Sequence, residues 1–262
     1  MPYPTPDPRN FLLGKGKCYF DRFDTVGART GLRHLGNCTA VAVQTEDERI
    51  EKRSSMDKTA GVLAEDSKSR KVTIKITADE HEAHNMALFL MGDVGSYTQV
   101  GGAIVDEPIN DLVLDRVYKL ANRVISAVSM TKGATPLVAG TDFVVEDAEA
   151  GLVRFLPAAA NVTTGDDVLV DYTAGAITAP AGRTTVRGGT QGKIEGAFFY
   201  LPDNTRGPNF ELEAWRVSAA PDGELGLITE EYGSFSLVLT VLNDAATHPT
   251  EPYYRLTERP AA

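Results

Sequence analysis

Cysteine is almost missing from this chain, with two residues, Cys18 and Cys38, among 262. That is too few for a disulfide framework, and both read as small core hydrophobes of a protein that folds in a reducing cytoplasm. No apolar run approaches the roughly 18 residues of a membrane-spanning helix, so no membrane span is expected. Basic residues are in deficit, 26 Lys and Arg against 36 Asp and Glu, for a formal charge of −10. Holding phosphates requires an excess of cations, which argues against a nonspecific nucleic-acid groove. The start, MPYPTPDPRN, lacks the apolar segment of a secretion signal and carries four prolines. It reads as an extended arm suited to docking on a partner.

Helical periodicity is scarce too. One stretch shows it, Lys71 to Gly92 (KVTIKITADEHEAHNMALFLMG). Its first half alternates, Val72, Ile74 and Ile76 against Lys71, Thr73, Lys75 and Thr77, the pattern of a half-buried strand. Then the period changes. Thr77 or Asp79 can cap a helix whose first turn holds Asp79, Glu80 and Glu82, with Ala83, Met86, Ala87 and Leu90 on one packing face and Gly92 as the stop. The expectation is a strand feeding a short helix that covers a β-built core.

The rest reads as strands and turns. Gly14 to Asp24 and Leu32 to Leu35 open with a hairpin, and Cys38 to Thr45 gives a third strand whose partner is expected to be Lys71 to Thr77. Between these lies Glu46 to Arg70, of mixed charge: Glu46, Asp47, Glu48, Arg49, Glu51, Lys52, Arg53, Asp57 and Lys58, then Glu65, Asp66, Lys68 and Arg70. It reads as a long loop, either a solvated connection or one that orders on a neighbouring subunit. Tyr97 to Val105 could be a strand, and Asp106 to Pro108 marks a boundary. After it, Val117 to Leu120, Val124 to Met130, Asp142 to Glu146, Val153 to Leu156 and Val168 to Tyr172 form a small all-β module, closed by the linker AGAITAPAGRTT. Lys193 to Tyr200, Phe210 to Ser218 and Ser234 to Leu242 follow as longer strands, with a turn at Pro221-Asp222-Gly223. The tail PTEPYYRLTERPAA reads as a second extended arm.

Catalytic motifs fail on spacing. His81-Glu82-Ala83-His84 places its histidines three apart, where a zinc-peptidase helix needs four. Gly188 to Lys193 lacks a glycine at Arg187 and a hydroxyl at Ile194 for a phosphate loop, and Gly14-Lys15-Gly16 lacks the third glycine of a dinucleotide fingerprint. Ser55 to Lys58 matches S-x-x-K without its partner motifs. The sequons at Asn37 and Asn161 meet no secretory route. Asp166-Asp167 and Glu230-Glu231 are expected to be solvated loop charges, and Trp215 to be a packing residue. No enzyme activity, cofactor or metal is expected.

The order of features resembles the major tail tube proteins of long-tailed, siphophage-type bacteriophages. Four stretches carry the likeness: Asn10 to Asp24 with Leu35-Gly36-Asn37, Glu80 to Asp93 (EHEAHNMALFLMGD), Gly196 to Gly207 (GAFFYLPDNTRG), and Trp215 to Asp244 (WRVSAAPDGELGLITEEYGSFSLVLTVLND). The resemblance implies a mainly β, antiparallel sandwich or barrel tail-tube fold with one flanking short helix. Residues 1–106 and 183–262 would be the tube domain and 107–182 an inserted, outward-facing all-β domain. Subunits would form homohexameric rings stacked into a hollow conduit for genome ejection, built in the host cytoplasm and lodged in the virion tail. Tape measure, tail terminator and distal tail proteins would be partners, and DNA would pass without specific binding. Strands at about 38–47, 71–78, 193–200 and 210–218 would join the barrel, with Lys71, Thr73, Lys75 and Thr77 as lumen-facing candidates. The loop 46–70, with the charged residues named above from Glu46 to Lys58, would reach the next ring. Edge-to-edge closure removes open sheet edges, a ring closes through heterologous contacts, and acidic walls would repel phosphates. The alternative is a β-sandwich binding module that recognises a glycan or host surface protein. A hydrolase using a carboxylate pair is the third and weakest-founded reading.

Overall fold

The computed structural model describes residues 6–56, 58–179 and 182–259. In chain order the elements are β1 (Gly16–Arg22), β2 (Arg33–His34), β3 (Cys38–Arg53), β4 (Val62–Ala78), α1 (Ala83–Phe89), β5 (Asp93–Tyr97), β6 (Gly102–Ile109), β7 (Val117–Lys119), β8 (Ile125–Lys132) and β9 (Thr135–Pro136). There follow β10 (Phe143–Asp147), β11 (Leu152–Phe155), β12 (Val168–Ala174), β13 (Arg183–Arg187), β14 (Ile194–Pro202), β15 (Asn209–Asp222), β16 (Phe235–Val241) and β17 (Tyr254–Arg259). The protein is mainly β, its paired strands antiparallel, with one short α-helix among the described residues. Two compact units emerge, one from residues 1–94 with 186–262 and one from 95–185.

The larger unit is a sheet in the order β2-β1-β14-β15-β16-β4-β3, with β17 also pairing β15. Its organising pattern is alternation. In β16, Phe235, Leu237, Leu239 and Val241 point to the core, and opposite them in register stand Ala78, Ile76, Ile74 and Val72 of β4. Each such pair puts two apolar side chains on the same face, which fixes the register because a one-residue slip would expose them all. Cys18, Phe20, Ile194, Phe198, Leu212, Ala214, Val217 and Ala219 complete this core.

Helix α1 closes the core with a face that coincides only in part with the one its sequence indicates: Ala87 is buried and Leu90 packs against the core, as expected. Asn85, Ala87, Leu88 and Phe89 are buried, whereas Ala83, Met86 and Leu90 are half-buried. Phe89 meets Phe235 edge-on at 5.9 Å. The helix has only seven residues, and its buried face is turned from the expected stripe of Ala83, Met86, Ala87 and Leu90 toward Leu88 and Phe89. Asp79 and Glu80 do not cap it. They hold the turn before β3 instead: Asn37 Nδ2 donates to Asp79 at 2.7 Å and Asn37 N to Glu80 at 3.0 Å.

Two expected arms change character. In the N-terminal one, residues 1–5 lie outside the described residues, and Pro8–Asn10 make one 3-10 turn capped by Asp7. In the tail, Tyr254–Arg259 is a strand, registered on β15 from Ala214 to Asn209. Likewise the turn expected at Pro221 is still strand: β15 runs to Asp222, paired with Ser236, and Gly223 at φ +91° ends it.

The smaller unit is a sandwich of two sheets, β10-β11-β7 and β6-β12-β8-β9. Phe143, Val153 and Phe155 from the first and Met130, Val168, Val170 and Tyr172 from the second share one core. The boundary expected at Asp106–Pro108 is a bulge inside β6. Asp106 has φ +57°, its N–H donates to Asp171 Oδ1 at 2.7 Å, and the register to β12 shifts there. Proline and a positive-φ aspartate mimic a linker in sequence, but here they kink an edge strand.

Asp142 is fully buried in this unit. Its carboxylate accepts from the backbone N–H of Val138, Ala160 and Asn161 at 2.7, 2.8 and 2.9 Å, and from Asn161 Nδ2 at 2.9 Å. Burial alone would raise its pKa, but these donors outweigh burial and bring it down to about 2. A carboxylate with a depressed folded pKa stabilises fully above its ordinary value and loses that contribution as pH falls through the folded one. Asp142→Asn should therefore cost roughly 1–3 kcal/mol near neutrality, and the gap to the unsubstituted protein should narrow between about pH 4 and pH 2. Chemical denaturation across that range checks it. On the helix, Phe89→Ala should cost roughly 3–5 kcal/mol, and the half-buried Met86→Ala clearly less, by the same measurement.

Candidate assembly interface

The stretch 46–70 is not a loop. β3 and β4 pair from Cys38 opposite Ala78 out to Arg53 opposite Val62, leaving only a short tip. β16 supports β4 over Val72–Ala78 alone. Beyond Lys71 the hairpin leaves the sheet as a two-stranded ribbon, and residues 48–53 and 62–71 are all exposed. Asp47 alone in that part is half-buried. With no core beneath it the ribbon needs no apolar alternation, so its sequence shows none and resembles a polar connection.

Its charges hold its own register. Glu48 takes Lys68 Nζ at 2.7 Å and Ser69 Oγ at 2.9 Å. Arg49 bridges Asp47 at 3.0 Å and Glu65 at 3.3 Å, and Arg53 reaches Glu51 at 2.6 Å. Ser67 Oγ donates to Asp47, which with Arg49 holds that carboxyl below its ordinary value. Exposed pairs add little stability; the contacts of Glu48 with Lys68 and Ser69, of Arg49 with Glu65 and of Asp47 with Ser67 cross between the strands and fix alignment, while Arg49–Asp47 and Arg53–Glu51 lie within β3. Glu46 accepts from Gln44 Nε2 at 3.0 Å, and Lys52 is exposed. At the tip, Ser54 N donates to Gly61 O at 2.7 Å, Lys58 is exposed, and Met56 is 98% exposed. Asp57 lies outside the described residues. Ile50, Val62 and Leu63 add apolar surface along the ribbon.

The lumen-facing candidates share the face opposite the core, but not equally. Lys71 and Lys75 are exposed and Thr77 is half-buried, its hydroxyl 2.9 Å from that of Ser236. Thr73 is a correction: it is 7% exposed. Gln44 and Thr240 flank it in register on that same face. Lys75 pairs with Asp222 Oδ2 at 3.2 Å across the width of β16, a contact between strands that no local motif announces. The face on β4 is thus hydroxyl-rich with lysine charge, and the protein's acidic excess does not reside there.

The former motif residues have structural partners. His81 packs edge-on to Phe235 at 5.5 Å, and His84 lies 3.6 Å from Glu82. Asp166 takes Thr163 N at 2.7 Å, and Asp167 takes Asp111 N at 2.9 Å. Trp215 stacks on His248 with centroids 4.0 Å apart, lies under Arg255 at 5.2 Å, and donates to Glu251 O at 2.8 Å. A cleft of about 1090 Å³ in the larger unit, floored by Phe20, Leu35, Ala87, Leu88 and Ile194, escaped the sequence reading. Of the charges that line it, Arg22 pairs with Asp93 at 2.8 Å and Glu195 with Arg216 outside it at 2.7 Å. Asn85, 2% exposed, donates to Leu35 O at 2.9 Å beside it, while its Oδ1 has no hydrogen-bond partner among the described residues.

No curated protein matches this chain. The family described as "Protein of unknown function UCP028589" matches residues 11–254, a span that takes in both compact units, and the chain belongs to that family.

Proposed function

We propose that this protein is a structural, self-assembling subunit of a phage-type tail tube, with no enzymatic role. The observation that carries this reading is the ribbon. An isolated two-stranded hairpin is marginal in water, so an exposed, register-locked ribbon rooted in a well-packed sheet is a contact device awaiting a neighbour. Supporting it are the open edge of β3, the last strand in the sheet order, and the polar face beside the core face on β4. Edge-to-edge addition of further subunits would close these sheets into rings with the polar face inward, and the ribbon would reach the next ring.

In this reading the rings are homohexameric and stack as a conduit through which DNA passes unbound, in a virion tail with tape measure, terminator and distal tail proteins as partners. The unit at 95–185 is an outward-facing addition. The wall contributed by β4 lets a polyanion slide because Lys75 is matched by Asp222, rather than because the wall is acidic.

The alternative, a binding module for a glycan or host surface protein, would place the activity in the smaller unit, which has its own core. Electron microscopy of the purified protein should show rings or tubes. Replacing residues 48–69 by a tight turn should leave a folded subunit that no longer stacks, whereas removing 95–185 should leave assembly intact. A chain that stays monomeric at high concentration, or one whose assembly survives ribbon truncation, would contradict the proposal.

A further inference from the structure

The chain's two cysteines meet. Cys18 lies in β1, 1% exposed, and its carbonyl accepts from Leu35 N at 2.9 Å. The next residue, Gly36, takes φ +77° and turns the chain, Asn37 is held by Asp79 and Glu80, and Cys38 opens β3. A Cβ at position 36 would collide with the Glu80 side chain, so the turn is tightly specified. It delivers Cys38, half-buried, beside the buried Cys18: both belong to one apolar cluster and line one cavity of about 890 Å³ with Val41, Tyr200 and Leu212. The neighbouring Cys38 thiol, with burial, raises the Cys18 pKa. The Cys18 thiol in turn lowers that of Cys38, against burial and the Asp79 and Glu80 carboxylates.

We propose that Cys18 and Cys38 are a redox pair that closes into an intramolecular disulfide when the protein meets a peroxide-class oxidant. The Cys38 thiolate attacks a peroxide oxygen, the O–O bond breaks, and a sulfenic acid and hydroxide result. The Cys18 sulfur then attacks the sulfenic sulfur, forming S–S as S–O breaks, and its proton leaves with the hydroxyl as water. Two thiols and one peroxide become one disulfide and two waters. β1 stands near one end of the strand order and β3 at the other, so the bond ties the two ends of the sheet together at the root of the ribbon. This does not depend on the tail-tube reading, and either can fail without the other.

The test uses the full chain with hydrogen peroxide under native conditions, followed by denaturing alkylation, intact mass and peptide mapping. The expected result is a monomer lighter by two hydrogens, no alkylated cysteine, and a crosslinked peptide joining Cys18 to Cys38. The melting temperature should rise by about 5–10 °C, reversibly with dithiothreitol. Cys38→Ser under the same treatment should keep a reduced Cys18 and show no rise. Two alkylatable thiols after exposure, intermolecular dimers, or Cys38 sulfinic acid beside an unmodified Cys18 would overturn the proposal.

Discussion

The antiparallel pairing of Val72–Ala78 with Phe235–Val241 is the contact on which the larger unit depends. It joins segments on either side of the whole smaller unit, so nothing local enforces it. It holds because both strands present apolar side chains on one face, and because Leu88 and Phe89 of the following helix cover that face. It also decides where the ribbon begins. β4 stays in the sheet as far as β16 supports it, and from Lys71 outward only β3 remains.

A strand seated on a core carries its period in its sequence, and such strands were legible. Most of them fall within a few residues of their expected places, because Phe, Ile, Leu and Val alternate there with polar residues; the strand expected at Tyr97 to Val105 does not, since β5 ends at Tyr97 and β6 begins at Gly102, and β13 starts inside the expected linker. The outer halves of β3 and β4 were not legible, since with water on both faces Glu48, Arg49, Ile50 and Glu51 obey no hydrophobic pattern. Helix α1 failed in phase rather than in existence: at seven residues it is too short for periodicity to choose between Met86 and Phe89. β17 and the Asp106 bulge were hidden for a further reason, because proline and glycine neighbours signal breaks whether or not a strand continues beside them.

In the ribbon and on the polar face of β4 the residue types were readable and their partners were not. Lys75 was visible as a solvent-facing charge, but Asp222 is far away in sequence and meets it only through the β4–β16–β15 stack. The ribbon charges were visible as balanced, yet the structure matches Lys68, Arg49 and Arg53 to acids within the ribbon itself. A neighbouring subunit would therefore find a pre-aligned ribbon whose remaining contact potential lies in Ile50, Leu63, Met56 and its open backbone edges. Such an element keeps the ordering penalty of docking small, because the register is already set.

Whether the ready-formed ribbon, exposed in the subunit, becomes covered by a neighbour on assembly can be read by amide hydrogen exchange. Peptides spanning residues 46–53 and 62–71 would be compared between dissociated and assembled protein, with Val72–Ala78 as the internal standard. Fast exchange is expected in the ribbon of the dissociated subunit, slow exchange in Val72–Ala78 in both states, and ribbon protection rising to the level of that standard on assembly. Ribbon amides that exchange equally fast in both states would contradict such covering.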